Sequence, residues 1–414
     1  MSQKRHPTHG ATREEGRRTC LPSVAMRTGL LALAVAGVLA ACAAEARAVT
    51  LGITADGRFF TLDGAATYLN GISYYGSQSI STPSFVTQDL DDMVAGGFNW
   101  IRVWAFWEYP DPSENVSVMT QNGVVREPYM TRLKTLIAEC NSRGMVVDVS
   151  LRHDTSSTRY PSNLSQHLAC VQTMAQHLLP YRNVYIDVSN ERDVRDSRYV
   201  SLSDCGQLVS AIKAIDSGRL CTASGVPESQ SELNEYRAVA HVDFITPHLG
   251  RNADDPAQTV NRVREFVTWM GNLGFRFPIH LQEPFRRGYS TTYDPVVEDY
   301  YRDCSGGKIA EAAGWCLHNG DNKYSPPGYR PWRCFNMTPA EGRLYSQWDS
   351  VEQTVVANLD GQIGGASMKV RRYQAEYGEH LSHQIGSRDG WTWSANVASH
   401  AAGYLSYGPY VKTI

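Results

Sequence analysis

The chain has no excess of either charge: 39 Lys and Arg stand against 42 Asp and Glu, a formal net charge of −3 over 414 residues. The basic residues are scattered, so there is no basic face of the kind that nucleic acid or anionic lipid needs. Neutral partners such as carbohydrates stay open. The cysteines lack the paired C-x-x-C spacing of a structural zinc site. No Gly-rich phosphate loop follows the first strand pattern, which argues against a doubly wound nucleotide-binding sheet. Long apolar runs are missing too, with one exception near the N-terminus.

That exception, Thr28 to Ala44, follows a basic stretch and precedes small residues, the pattern of a signal peptide rather than of a membrane span. The 25 residues ahead of Met26 are polar, unlike the start of an export signal, so translation is expected to begin at Met26. Residues 1–48 are read as an N-terminal extension and export signal. Ala46-Arg47-Ala48 offers an A-x-A site for secretion into the medium or periplasm. Leu39-Ala40-Ala41-Cys42 resembles a bacterial lipobox, with Cys42 as the residue that would carry a lipid anchor. A strand expected to start at Val49 leaves little tether and favours secretion. Cleavage after Ala48 leaves Cys140, Cys170, Cys205, Cys221, Cys304, Cys316 and Cys334. In an oxidising compartment Cys205 with Cys221, and Cys304 with Cys334, are candidate disulfides, and the odd total leaves at least one thiol unpaired, read as a buried structural cysteine.

Leu51 to Leu62 alternates loosely around Asp56-Gly57, so a short hairpin is expected ahead of the main fold, plugging its bottom. From Tyr68 onward short apolar runs alternate with longer amphipathic segments. Eight strands are expected: 68–74, 99–104, 145–151, 184–189, 220–223, 244–247, 278–282 and 312–317. Helices are expected between them at 86–95, 128–143, 164–179, 203–216, 257–273 and 339–352. Eight such units over roughly 290 residues are the size and rhythm of a (β/α)₈ barrel, an α/β fold, spanning residues 49–356. After Val356 the composition turns to Gly, Ser and aromatic residues, and residues 357–414 read as a short β-rich tail, too short for a complete sandwich module.

In such a barrel the chemistry sits where each apolar run stops at the C-terminal end of a strand. Strand four stops at Asn190-Glu191 and strand seven at Glu283-Pro284. Two carboxylates on opposing strand ends can flank a glycosidic bond, one giving a proton to the leaving oxygen while the other attacks the anomeric carbon. Arg102, ending strand two, is placed to hydrogen-bond the attacking carboxylate, and Asn190 to hold a sugar hydroxyl.

In these positions the chain resembles glycoside hydrolase clan A and, within it, the family 5 cellulases and mannanases, over roughly residues 50–350. The resemblance rests on Arg102, Asn190-Glu191, His248 after strand six, Glu283 and Trp315 in strand eight. It implies Glu191 as acid/base, Glu283 as nucleophile, Arg102 and Asn190 as supports, and Trp315 as an aromatic platform beneath the sugar. His248 resembles the family's strand-six histidine, and His153 is matched to the one on strand three. Two departures stand out: Asn190-Glu191-Arg192 replaces Asn-Glu-Pro, and His248-Leu249-Gly250 replaces His-x-Tyr, with Tyr289 or Tyr293 as candidate substitutes.

Trp104, Trp107, Tyr74 and Tyr75 lie near strand ends, where an aromatic ring either packs in the core or stacks on a sugar. The expected protein is an exported retaining hydrolase of β-glycosidic bonds in a polysaccharide or oligosaccharide, cofactor-free and monomeric. The alternative is a barrel that binds carbohydrate without turning it over. A metal-dependent hydrolase would need more strand-end ligands than His153 and His248.

Overall fold

The computed structural model describes residues 49–107, 115–250, 253–284, 295–318 and 342–364, Ala366, Met368 and three short strands beyond. Residues 1–48, the expected export segment with Cys42, lie outside the described residues. No helix among the described residues is long and apolar enough to cross a membrane.

The described chain opens with a three-stranded antiparallel sheet, β1 (Leu51–Ile53), β2 (Phe60–Leu62) and β3 (Ala65–Thr67), one strand more than a hairpin. A seven-stranded parallel sheet follows: β4 (Leu69–Ser73), β5 (Trp100–Trp104), β6 (Val146–Ser150), β7 (Val184–Asp187), β8 (Cys221–Thr222), β9 (His280–Leu281) and β10 (Gly314–Leu317). Its order, β8-β7-β6-β5-β4-β10-β9, joins the last strand to the first. Residues 243–249 fill the remaining place between β8 and β9. Asp243 N donates to Cys221 O at 2.9 Å, while Ile245 N donates to Pro278 O at 3.1 Å and Leu249 N to Glu283 O at 3.0 Å. The eighth position is therefore held by isolated parallel bridges, Ile245 to Ile279 and His248 to Glu283. The barrel is closed, and the chain is a (β/α)₈ fold.

The surrounding helices are α1 (Pro83–Ala95), α2 (Tyr129–Ser142), α3 (Leu164–Leu178), α4 (Leu202–Ile215), α5 (Gln230–Ala238), α6 (Asp255–Asn272), α7 (Val297–Ile309), α8 (Leu344–Gln347) and α9 (Ser350–Ile363). Asn163, Ser201 and Ser229 start α3, α4 and α5 by accepting the N–H of Gln166, Asp204 and Glu232. Each such cap contributes about 1 kcal/mol. The helix expected over 339–352 is broken instead. Asp349 accepts the N–H groups of Val351 and Glu352, while Glu352 accepts that of Asp349, a reciprocal cap that starts a new helix. That helix, α9, runs through residue 356, where the sequence pattern placed the end of the barrel. Farther on, β11 (Tyr373–Ala375), β12 (Trp393–Ala395) and β13 (Gly403–Tyr407) form an antiparallel sheet in the order β11-β13-β12.

Side chains on the parallel strands alternate between the barrel interior and the layer under the helices. At the N-terminal end of the barrel, Phe60 enters from β2 and meets Phe244 edge-on at 4.9 Å, with Trp100, Tyr185 and His280 completing a buried aromatic layer. Gly71 is required here, because a Cβ on it would lie 1.8 Å from the carbonyl oxygen of Trp100. The second core lies between sheet and helices and holds Cys140, Cys170, Cys205, Cys221 and Cys304. Cys205 and Cys221 are free buried thiols, not a disulfide, and Cys304 is free and buried as well. Cys334 lies outside the described residues. Packed among aliphatic side chains these thiols act as small hydrophobes, and burial pushes the Cys205 thiol up to about 12.

Candidate active site

The C-terminal ends of the strands gather a set of charged and hydrogen-bonding side chains around one buried arginine. Arg102 leaves β5 toward the barrel interior and is fully buried. Its Nε donates to Ser150 Oγ at 2.8 Å, its Nη1 to Glu283 Oε1 at 2.5 Å, and its Nη2 to Asp187 Oδ2 at 3.2 Å and to Asn190 Oδ1 at 2.6 Å. Asp148 Oδ2 lies 3.4 Å from Nε. One guanidinium thus faces three carboxyl groups, and Arg102 is the floor of the site rather than a rim ion pair.

Glu283 stands at the end of the strand-seven segment and is 5% exposed. Burial works against its charge, yet His248, His318 and Arg102 hold its carboxyl well below the usual carboxylate range. His318 Nε2 is 3.2 Å from Glu283 Oε2, and the Nδ1 side of the ring meets Ser73 Oγ at 2.8 Å and Tyr75 Oη at 2.9 Å. His248 Nδ1 is 3.7 Å from both Glu191 Oε1 and Glu283 Oε2. Burial disfavours its imidazolium, but Glu283 and Glu191 together raise it above its ordinary value.

Glu191 faces Glu283 across the mouth. One oxygen of each carboxylate, together with a His248 ring nitrogen, lies within 4.8 Å of the others. These three atoms could approach a cation, but Glu283 already has positive charge from Arg102 and the two histidines. Glu191 occupies the left-handed region at φ 50°, a position that costs about 1 kcal/mol or more and that its surroundings must enforce. They do so through backbone bonds: Asn190 N to Leu151 O at 2.8 Å, Glu191 N to Ser224 Oγ at 3.0 Å and Arg192 N to Ser224 O at 2.9 Å. Proline at 192 could not make the last of these. The Arg192 side chain is also engaged, donating to Tyr236 Oη at 3.0 Å and to Glu232 Oε1 at 2.6 Å. Arg198, on the loop after β7, donates to Glu191 Oε2 at 2.5 Å.

Several expected residues lie elsewhere. Trp315 is fully buried and its indole N–H donates to Asp303 of α7 at 2.5 Å, so it faces the helix layer and is no platform under a sugar. Tyr74 is buried likewise, donating to Asp89 of α1 at 3.0 Å. Tyr75, its neighbour, points inward and stacks on Trp104 at 4.6 Å and 14°. Trp104 in turn covers Arg102 at 4.6 Å, and Trp107 leans on Tyr75 at 5.3 Å, so Tyr75, Trp104 and Trp107 form the aromatic wall of the mouth. His153 stacks on His167 at 5.7 Å, and burial lowers its pKa. A Cβ at Gly250 would lie 2.5 Å from an Asp255 carboxylate oxygen, so a tyrosine there would have to displace that carboxylate. Tyr289 and Tyr293 lie outside the described residues. His318, not singled out from sequence, takes a place beside the nucleophile candidate. It stands where the run Trp315-Cys316-Leu317 stops, the same signal that marked Glu191 and Glu283.

Comparison with known proteins agrees with this fold. The cellulase family, glycosyl hydrolase family 5, matches residues 60–274, just over half of the chain. That span includes Arg102, Asn190, Glu191 and His248 and ends before Glu283. No curated protein matches the chain. Among solved structures, a glycoside hydrolase family 5 protein from Bacteroides vulgatus is similar at 15% identity and a TM-score of 0.56, over 79% of this chain and 74% of that one. A family 5 mannosidase from Rhizomucor miehei is similar at 15% identity and 0.52, over 75% and 97%. A β-1,4-D-mannanase from Cryptopygus antarcticus is similar at 15% identity and 0.52, over 78% and 98%. At these identities the likeness is one of fold.

Proposed function

The chain belongs to the cellulase family, glycosyl hydrolase family 5, and from that premise we propose that it is an exported hydrolase of β-glycosidic bonds that works with retention, using Glu283 as nucleophile and Glu191 as acid/base. The observation that carries the reading is the pair of opposed carboxylates, with oxygens within 4.8 Å of one another across the barrel mouth. Retaining glycosidases hold their carboxyl groups about 5 to 5.5 Å apart, whereas inverting ones leave room for a water at roughly 6.5 to 9.5 Å. Glu283, held ionised by Arg102, His248 and His318, attacks the anomeric carbon as Glu191 passes its proton to the leaving oxygen. Glu191 then takes a proton from the water that breaks the ester.

Asn190 gives its carbonyl oxygen to Arg102, so its amide N–H₂ is the part left to serve a sugar hydroxyl. Trp107, the least buried ring of the aromatic wall, is the one placed to stack on a sugar. Export rests on the basic-then-apolar run ending at Ala44 and the A-x-A site at Ala48. The tail is proposed as a unit outside the barrel. Deleting residues 371–414, beyond α9, is expected to spare hydrolysis of small soluble substrates, and failure of that truncation to fold would make the tail part of the barrel's support.

The deciding experiment is proton NMR of the first product formed by the purified enzyme. Similar structures include a mannosidase and a β-1,4-D-mannanase, so β-mannooligosaccharides head the substrate panel, followed by cellooligosaccharides and aryl β-glycosides. A β anomer appearing first supports the reading. An α anomer would overturn double displacement, and an inert protein on the whole panel would favour the carbohydrate-binding alternative.

A further inference from the structure

His248 is the one described group placed evenly between the two carboxylates, and the structure shows what holds it there. Its Nε2 meets Gln282 Oε1 at 3.1 Å, and Gln282 Nε2 donates to Asp148 Oδ2. That Asp148 oxygen also receives the Tyr185 hydroxyl at 3.0 Å and lies 3.4 Å from Arg102 Nε. An oxygen facing these donors is an acceptor in either protonation state, so any proton on Asp148 rests on Oδ1, beside Ser150 Oγ at 3.1 Å. The Gln282 amide therefore has one orientation: N–H₂ toward Asp148, oxygen toward His248. An amide oxygen can only accept, so His248 carries a proton on Nε2 and turns Nδ1 to the gap between Glu191 and Glu283.

We propose that Gln282 is a positioning residue which, anchored by Asp148, fixes His248 as an imidazolium shared by the two reacting carboxylates. This rests on the retaining double-displacement reading above. During glycosylation a bond forms between a Glu283 oxygen and the anomeric carbon while the bond from that carbon to the leaving oxygen breaks. The Glu191 proton goes to the leaving oxygen. Glu283 loses its charge to the ester and Glu191 gains one, so a negative charge crosses the mouth. A cation 3.7 Å from either side stabilises the carboxylate that is charged both before and after, without moving. The groups facing it are Glu191, Glu283 and, opposing it, Arg102.

Two substitutions separate positioning from packing. Gln282→Met fills the volume but cannot accept from Nε2, so the imidazolium loses a charge-assisted bond and its pKa falls. The basic limb of the kcat/KM profile on an aryl β-glycoside should move to lower pH, with kcat down about 10- to 100-fold and KM little changed. Gln282→Glu keeps the acceptor toward Nε2, shares the Asp148 proton through its other oxygen and adds one negative charge beside the ring, so the same limb should move to higher pH. Opposite displacements support the relay. Equal displacements, or a loss of kcat with both limbs unmoved, would overturn it. If the methionine variant does not fold, nitrogen-15 NMR of the wild-type His248 ring decides instead: an imidazolium supports the assignment, and a neutral ring of either tautomer refutes it. That readout needs no turnover, so a wild type that cleaves no glycoside would refute the functional reading and still leave the relay testable.

Discussion

The lower half of the barrel interior is aromatic and uncharged, while the upper half, reached by the next inward residue of the same strands, is built of charges. Trp100 is followed inward by Arg102, Val146 by Asp148 and Tyr185 by Asp187. The seam is a hydrogen-bonded chain in which Trp100 Nε1 donates to Tyr185 Oη at 3.2 Å, and that hydroxyl to Asp148 at 3.0 Å. Below the seam, Phe60 and Phe244 are fully buried and fill space. Above it, one arginine is asked to hold three carboxyl groups in a place where unpaired charge costs several kcal/mol. The two halves divide the labour of the fold. The lower half supplies hydrophobic stabilisation, and the upper half gives up some of it for a preorganised charge.

Breaking the upper half should cost activity and leave the fold standing. In Glu283→Ala no glycosyl-enzyme can form, so turnover should fall about four orders of magnitude or more on every substrate, with azide restoring slow release of an inverted product. Glu191→Ala loses only proton transfer, typically about 10²- to 10⁴-fold. A dinitrophenyl glycoside should still give it a burst of phenol, with azide yielding a retained product. Thermal unfolding of both variants should stay close to wild type. If the two respond alike to leaving group and azide, the division of roles between the carboxylates is wrong.

Breaking the lower half should do the reverse. Phe60→Ala empties a fully buried site beneath the barrel, and such a truncation costs about 3 to 5 kcal/mol. Urea unfolding should show that loss, while kcat at a temperature where the variant is folded should stay within about twofold of wild type. A kcat loss comparable to that of Glu191→Ala would mean that the aromatic layer holds the charged one in place.

This division explains which parts of the fold and the site could be read in the sequence. Strand number, and the carboxylates at the ends of strands four and seven, were legible because an apolar run stopping at a polar residue needs no knowledge of neighbours. Trp315 was misassigned, and Tyr74 could not be told from Tyr75, because a parallel barrel buries both faces of its strands, which erases the alternation that would tell inside from outside. Register supplies the missing parity. Ser73 pairs with Arg102, so 73 and 75 share the arginine's inward side and 74 does not. Likewise Gly71 pairs with Cys316, which leaves Trp315 outward and makes His318 the inward residue at the end of β10. Cys205 and Cys221 looked like a disulfide because spacing cannot show that an α4 thiol and a β8 thiol are packed among aliphatic neighbours.

The smallest and sharpest test sits on the seam itself. Asp148 is fully buried among Arg102, Asp187, Gln282, Tyr185 and Ser150. Burial, with Asp187 adding to it, outweighs Arg102 and pushes its carboxyl from an ordinary 3.8 up to about 7. A folded-state pKa above the unfolded value means that the native protein holds this proton more tightly than the unfolded chain does. Between about pH 4 and 7 the unfolded chain therefore carries fewer protons at this group, and stability falls as pH rises. Asp148→Asn keeps the shape and an acceptor for Gln282 while removing that titration. Its stability relative to wild type should grow as pH rises from 4 to 7, on the order of 1 to 3 kcal/mol in all, and level off above. Urea midpoints at matched pH values measure this directly. Curves that stay parallel from pH 4 to 8 would mean that Asp148 is ionised throughout and that Arg102 does hold all three carboxylates charged. The upper half would then be stabler than its burial suggests, and the contrast with the aromatic layer would be one of chemistry alone.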